Sequence, residues 1–284
     1  MDGKDLIKLV KEDKVKFISL QFTDVMGAVK SVDMPVRNLQ GVLDDGAWFD
    51  GSSVEGFARI QESDMRLIID PDTYAVLPWS SDESKRARVF CDIHTPSDEP
   101  FEGDPRGALK RILKKIADRG WMLNIGPEPE FFLFKASDGS GVHPVPHDTG
   151  GYFDFSSFDE AVVVRTALME ALDAMGLDVE VGHHEVALGQ HEIDFRFADA
   201  LKAADNVLTL KYTVKAIAAQ HGLTASFMPK DKGPWSSAPT RRNIKIGMRD
   251  VATRLAGFIF IVPSSNGGGE AKSSAQREFY YFQR

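Results

Sequence analysis

Residues 124–134 read NIGPEPEFFLF, two glutamates either side of a proline inside a run that otherwise has the composition of a buried strand. Read as one strand over residues 121–134, the stretch puts Glu128 and Glu130 on the same face, because side chains at i and i+2 share a side of a sheet. Two carboxylates held that close repel. Burying them unpaired would cost several kcal/mol each and force at least one to take up a proton. A solvated surface strand is the alternative, since paired glutamates are common in water. The four consecutive large apolar residues that follow point instead to burial on both faces. Pro129 gives up a backbone donor, which is tolerable at an edge or beside a cavity. A dense positive charge would remove the repulsion.

A second acidic cluster lies in VEVGHHEVALGQHEIDF, residues 179–195, which holds Glu180, Glu185 and Glu192 with His183, His184 and His191. Two strands joined at Leu188-Gly189 would bring Glu185 across from Glu192 at one end of a sheet. Four glutamates on neighbouring strands offer hard oxygen donors, which suit Mg²⁺ or Mn²⁺ better than zinc. Consecutive histidines point to opposite faces of a strand, and the sequence has neither HExxH nor a CxxC pair. His183 and His191 therefore read as structural residues. Oxygen-bound divalent metals commonly bridge phosphate oxygens during phosphoryl transfer. The chain lacks both G-x-x-x-x-G-K-[ST] and G-x-G-x-x-G, so a nucleotide would be held by a metal-lined cavity in a sheet.

Outward from these clusters, the chain reads as α+β in two parts and a tail. Residues 1–103 begin with an amphipathic helix, continue with a hairpin broken at Met26-Gly27 and a short helix over VRNLQGVLDDG, and pass through a loop, WFDGSSVEGF. Strand-like runs MRLIID, YAVLPW and ARVFCDIH follow. Asp104 as N-cap, Pro105 at the first helical position and Gly120 as stop mark a helix and a domain boundary. Residues 104–230 alternate helices and strands, the pattern of a mostly antiparallel sheet backed by helices. In residues 231–284, 9 Lys or Arg stand against 4 Asp or Glu. There only LAGFIFIV looks able to pack, and the rest reads as a partly ordered extension.

Bulk properties narrow the function. A formal net charge of −8 and a pI near 5.4 argue against sequence-independent nucleic-acid binding, which needs a basic face. The single cysteine, Cys91, sits in a strand-like run and reads as a core residue in a reducing compartment. The acidic N-terminal helix is unlike a signal peptide, and no apolar run approaches the roughly 20 residues of a membrane span. Cytoplasm is the expected location, with no membrane partner.

Taken together, FDGSSVEGF (49–57), GPEPEFFLF (126–134), HHEVALGQHEIDF (183–195) and GLTASFMPK (222–230) resemble the glutamine synthetase family across residues 1 to about 230. The resemblance implies a β-grasp N-terminal domain over 1–103, then over 104–230 the first part of a catalytic domain with a curved antiparallel sheet. It implies ATP-dependent ligation of ammonium to glutamate through a γ-glutamyl phosphate, with Mg²⁺ or Mn²⁺ and a homo-oligomer, a dodecamer in the family. By the same resemblance, Glu130, Glu185 and Glu192 hold the metal facing the amino acid, and Glu128 holds the metal at the ATP phosphates. Glu180 touches the nucleotide, Asp50 takes a proton from ammonium, and Phe57 lines the ammonium site. On its own, an aspartate before Gly-Ser-Ser is equally a turn cap. The H-G-S-G-M-H-x-H-x-S pattern that the family carries after this point is absent from residues 231–284. A truncated gene, a changed reading frame or a diverged non-catalytic subunit would each give that outcome, and a polyamine as acceptor is a further alternative.

Overall fold

A computed structural model of the chain describes residues 1–54, 64–136, 144–155, 159, 161–228 and 259–263. The chain divides into two compact units: Met1–Arg111 with Ala174–Gly176, and Ile112–Asp173 with Leu177–Arg284.

The first unit opens with α1 (Gly3–Glu12), started by a capping box in which Asp2 accepts from the N–H groups of Lys4 and Asp5. Strands β1 (Phe17–Thr23) and β2 (Val29–Pro35) form the expected antiparallel hairpin, turned at Gly27 with φ +68°. Helix α2 (Leu39–Asp45) follows, then β3 (Ala47–Asp50), β4 (Asp64–Val76) and β5 (Arg86–His94). The sheet runs β2-β1-β5-β4-β3, with β1 and β5 parallel and the other pairs antiparallel. Leu6, Ile18, Leu20, Leu67, Val89 and Ile93 are fully buried in its core. Cys91 joins them, and burial raises its thiol well above the usual range, so it is no nucleophile.

Two sequence expectations change here. The runs MRLIID and YAVLPW are not separate strands: residues 64–76 form one strand whose pairing with β5 shifts register between Asp70 and Ala75. That irregularity absorbs Pro71, which has no N–H to donate. The stretch taken as a loop begins with the edge strand β3, where Ala47 and Phe49 face the core and Trp48 is exposed. Four residues are too few for that alternation to stand out.

Helix α3 (Pro105–Ala117) starts where the sequence places it, with Asp104 accepting from Arg106 N–H at 3.0 Å and Gly120 at φ +74° beyond its end. Its first turn carries Arg106 into a nearly dry site. There the guanidinium meets Asp70 at 2.7 Å and Asp92 at 2.8 Å, and Lys110 adds a contact to Asp92 at 2.5 Å. Burial alone would raise the Asp70 pKa, but the bond and charge of Arg106, with Lys110, hold it below the usual range.

The second unit has two antiparallel sheets. One runs β10-β6-β12, from β6 (Trp121–Ile125), β10 (Ala198–Asp199) and β12 (Ile259–Pro263). The other runs β11-β7-β9-β8, from β7 (Glu130–Lys135), β8 (Val179–His184), β9 (Gln190–Phe195) and β11 (Leu223–Ser226). Strand β12 takes in the last four residues of LAGFIFIV and Pro263 after it; the remainder of residues 231–284 lies outside the described residues. Helices α4 (Val162–Ala174) and α5 (Ala200–Gln220) accompany the sheets, with Asp199 capping α5. No helix among the described residues is long and apolar enough to cross a membrane.

The opening stretch is not one strand. Pro127 and Pro129 interrupt the ladder, β6 and β7 belong to different sheets, and Glu128 sits on the connection while Glu130 begins β7.

The Arg106 network yields a prediction. Arg106→Ala leaves the largely buried Asp70 and Asp92 with Lys110 but without the guanidinium and should cost about 3 kcal/mol. Chemical denaturation followed by circular dichroism checks it; an unmoved midpoint would show the cluster to be inert.

Candidate metal centre

Strand β9 is two-faced. His191, Ile193 and Phe195 point into the core, while Gln190, Glu192 and Asp194 share the opposite side. Glu192 pairs in register with Glu130 on β7 and with His183 on β8. The expected two-residue turn is instead a connection over Glu185–Gly189, closed by Glu185 N–H donating to Gln190 O at 2.8 Å. Glu185 therefore faces no strand partner. The connection curls it back so that donor atoms of His183, Glu185 and Glu192 lie within 4.8 Å of one another. His183 Nδ1 is 3.5 Å from Glu185 Oε1, and its Nε2 is 3.5 Å from Glu192 Oε2. Gly189 makes the curl possible: at φ +65°, a Cβ would stand 2.7 Å from the Leu133 carbonyl oxygen.

Neighbouring groups orient these side chains. Gln190 donates its amide to Glu130 Oε2, and Val186 N–H donates to Glu185 Oε2 at 3.1 Å. Phe153 stands edge-on to the His183 ring at 4.8 Å. It holds a left-handed backbone, φ +58°, uncommon for a bulky residue, and its N–H donates to His184 O at 3.2 Å.

The electrostatics are those of a crowded anion cluster. Burial, then the charges of Asp194, Glu130 and Glu185, push the Glu192 carboxyl up to about 9. Asp194 is raised by burial, against which His183 and a bond with Glu192 work while Glu180 and Glu185 add to it, and among the described residues its buried Oδ1 has no hydrogen-bond partner. Glu128, exposed on its connection, is raised by burial of part of its carboxyl and by Asp194. Without a cation this face favours a protonated Glu192 at neutral pH. Two carboxylates and an imidazole at this spacing, with further carboxylates beside them, can hold a hard divalent ion.

Of the residues singled out in the sequence, Glu185 and Glu192 come together with His183, and Glu130 is the register partner of Glu192 on β7. Glu128 and Glu180 lie at the margin, both within electrostatic reach of Asp194, and Glu180 occupies the register shift between Val179 and Val181. Asp50 belongs to the first unit, where it is exposed and accepts from Ser52 N–H at 2.9 Å and Ser52 Oγ at 2.6 Å. Those bonds hold its carboxyl below the usual range, so it is ionised at neutral pH. Phe57 lies outside the described residues. Sequence reasoning passed over Asp194, although it stands two residues after Glu192 and must share its face. It also read His183 as structural, whereas the ring stands among the carboxylates.

Behind the carboxylate face lies a second, buried group. Asp148 and His184 have fully buried side chains, joined by Nε2···Oδ1 at 3.0 Å. Burial works against the charge on His184, but Asp148 and the Glu185 carbonyl outweigh it and raise its pKa, while Asp148 is lowered in turn. His191 adjoins the pair; burial, then the charges of His184 and Arg165, take it down to about 3, so it is neutral. Arg165 donates to His191 Nδ1 at 3.1 Å and is paired with Asp159. That bond places the remaining imidazole proton on His191 Nε2, which has no hydrogen-bond partner among the described residues, so His191 packs edge-on against His184 while only Asp148 and His184 are hydrogen-bonded to each other.

Comparison with known proteins agrees with this architecture. The model of the glutamine synthetase β-Grasp domain matches residues 14–96, and that of the glutamine synthetase catalytic domain matches residues 102–237. A glutamine synthetase of Staphylococcus aureus is 49% identical over 228 residues, 80% of this chain and 51% of that protein. The chain thus spans about half the length of the curated relatives it matches. A solved structure described as a GmaS/ADP complex superposes with a TM-score of 0.69 at 31% identity, over 80% of this chain and 52% of that one. Plasmodium falciparum glutamine synthetase, at 24% identity and a TM-score of 0.72 over 81% and 51% of the two chains, shares the fold. By its two consecutive domains and its close relatives, this chain belongs to the glutamine synthetase family.

Proposed function

We propose that the chain carries the cation-binding carboxylate face of a glutamate–ammonia ligase that uses ATP and proceeds through a γ-glutamyl phosphate. The observation that carries this reading is the convergence of His183, Glu185 and Glu192, where burial and the neighbouring carboxylates push the Glu192 carboxyl up to about 9. In this reading Glu130, Glu185 and Glu192 hold the Mg²⁺ or Mn²⁺ that faces the amino acid, and Glu128 holds the one at the ATP phosphates. Bound there, the cations supply positive charge against the repulsion between a carboxylate and a phosphoryl group. Gln190 fixes Glu130, and the curled connection fixes Glu185, so both are in place before the cation arrives. Glu180, near the start of β8, contacts the nucleotide, and a relative solved as an ADP complex supports nucleotide binding.

Asp50, ionised and held by Ser52, takes the proton from ammonium. The family supplies this residue from an adjoining subunit, so the reading includes a homo-oligomer, a dodecamer in its relatives, working in the cytoplasm. Domain limits at 1–103 and 104–230, with 231–284 as an atypical tail, complete it. The H-G-S-G-M-H-x-H-x-S pattern absent from residues 231–284 would supply further contacts to metal and substrate. By itself the chain accordingly binds cations with little or no turnover.

Calorimetric Mn²⁺ titration of the whole chain tests the reading. At pH 7.5, in buffers of differing ionisation enthalpy, binding should release about one proton per cation, and Glu130→Gln should weaken it roughly 10-fold or more. Binding without proton release, or unaffected by Glu130→Gln, would contradict the assignment. Glu192 supplies a second prediction. The unfolded chain loses this proton near 4.5 and the folded chain near 9, so the folded form binds more protons in between and metal-free stability falls as pH rises across that window. Glu192→Gln should therefore raise the metal-free melting temperature at pH 8, by about 2–4 °C per kcal/mol relieved, while abolishing tight Mn²⁺ binding. A lower melting temperature would show Glu192 to be satisfied as an anion.

A further inference from the structure

Asp148 holds both ends of the connection that carries Glu185. Its Oδ1 accepts from the His184 ring at 3.0 Å and from Gly189 N–H at 3.0 Å, so one oxygen ties together the last residue of β8 and the last residue of the Glu185–Gly189 connection. The other nitrogen of His184, Nδ1, donates to the Glu185 carbonyl at 2.6 Å. The ring is thus stretched between Asp148 and the Glu185 backbone. The segment that carries Asp148 is itself anchored, with His147 N–H donating to Leu133 O at 3.0 Å and Phe153 N–H donating to His184 O at 3.2 Å. Both side chains are shut off from water.

An ionised pair taken out of water is weak evidence of stabilisation, because desolvation offsets most of the attraction. Its geometric effect here is specific. A five-residue connection between two strands has many conformations of similar energy, and Glu185 reaches His183 and Glu192 in only some of them. Two hydrogen bonds to one buried oxygen select among those conformations, and the bond from His184 to the Glu185 carbonyl sets the direction in which the Glu185 side chain departs.

We propose that Asp148 and His184 are positioning residues for the cation site, fixing the Glu185 backbone so that its carboxylate meets those of Glu192 and Glu130. This rests on reading the carboxylate face as a cation site. It assigns work to a buried pair that faces neither cation nor substrate. It also gives a reason for an aspartate at 148: its acceptor oxygen serves two donors that no apolar residue could satisfy.

The test compares the whole chain with Asp148→Asn and His184→Gln, reading free Mn²⁺ by electron paramagnetic resonance and the melting midpoint by circular dichroism. Asp148→Asn keeps the shape and an acceptor oxygen but loses the charge that grips the ring. It should bind Mn²⁺ about 10-fold more weakly at a temperature where it is fully folded, and His184→Gln should do the same. The spectrum of bound Mn²⁺ should broaden in both as the ligand geometry loosens. If either variant, folded, binds Mn²⁺ with wild-type affinity, or weakens only in step with its unfolded fraction, the pair is purely structural and the inference fails. Should the wild-type chain take up no Mn²⁺, the reading of the carboxylate face fails first, an outcome distinct from equal binding by all three proteins.

Discussion

Mutual repulsion among carboxylates on one face of a small sheet is the constraint around which the second unit is organised. Glu130, Glu185, Glu192 and Asp194 are brought close by strand register and a curled connection, and at neutral pH at least one of them keeps its proton. Such a face is unfavourable in the empty protein. It persists because the opposite face of the same strands is a well-packed core, with Phe131, Leu133, His191 and Ile193 fully buried. The hydrophobic side of β7 and β9 thereby supplies the stability that the polar side spends.

A second layer turns that cluster into a defined geometry. Gln190 fixes Glu130, Gly189 admits the tight approach to Leu133, and Asp148 with His184 fixes the connection between β8 and β9. None of these residues offers the cation a carboxylate of its own at the face. Each narrows the conformations open to one that does, which is how a site held by side chains of separate segments becomes ready for its ligand.

Much of this was legible in the sequence. The cap at Asp104, the hairpin at Met26-Gly27 and the helix stop at Gly120 follow from short-range rules, and all are present. The acidic residues were legible as a group because glutamate is costly among FFLF and HEIDF unless something offsets its charge. Their exact arrangement was not. The i, i+2 rule made Glu128 and Glu130 partners on one strand, but the two prolines end the ladder and move Glu128 onto a connection. The same rule, applied to Glu192 and Asp194, would have found a carboxylate that went unremarked. Asp148 was beyond reach, since its bonds to His184 and Gly189 join segments far apart in the chain. The one-strand reading of β4 required recognising that a register shift can absorb a proline.

The central claim is that the acidic face is a cation site. Anomalous diffraction from crystals of the whole chain grown with Mn²⁺ tests it most directly. The account predicts an anomalous peak within coordination distance of Glu185 and Glu192, with Glu130 turned toward it. A fully occupied peak elsewhere, with these carboxylates directed into solvent and no scatterer between them, would contradict it.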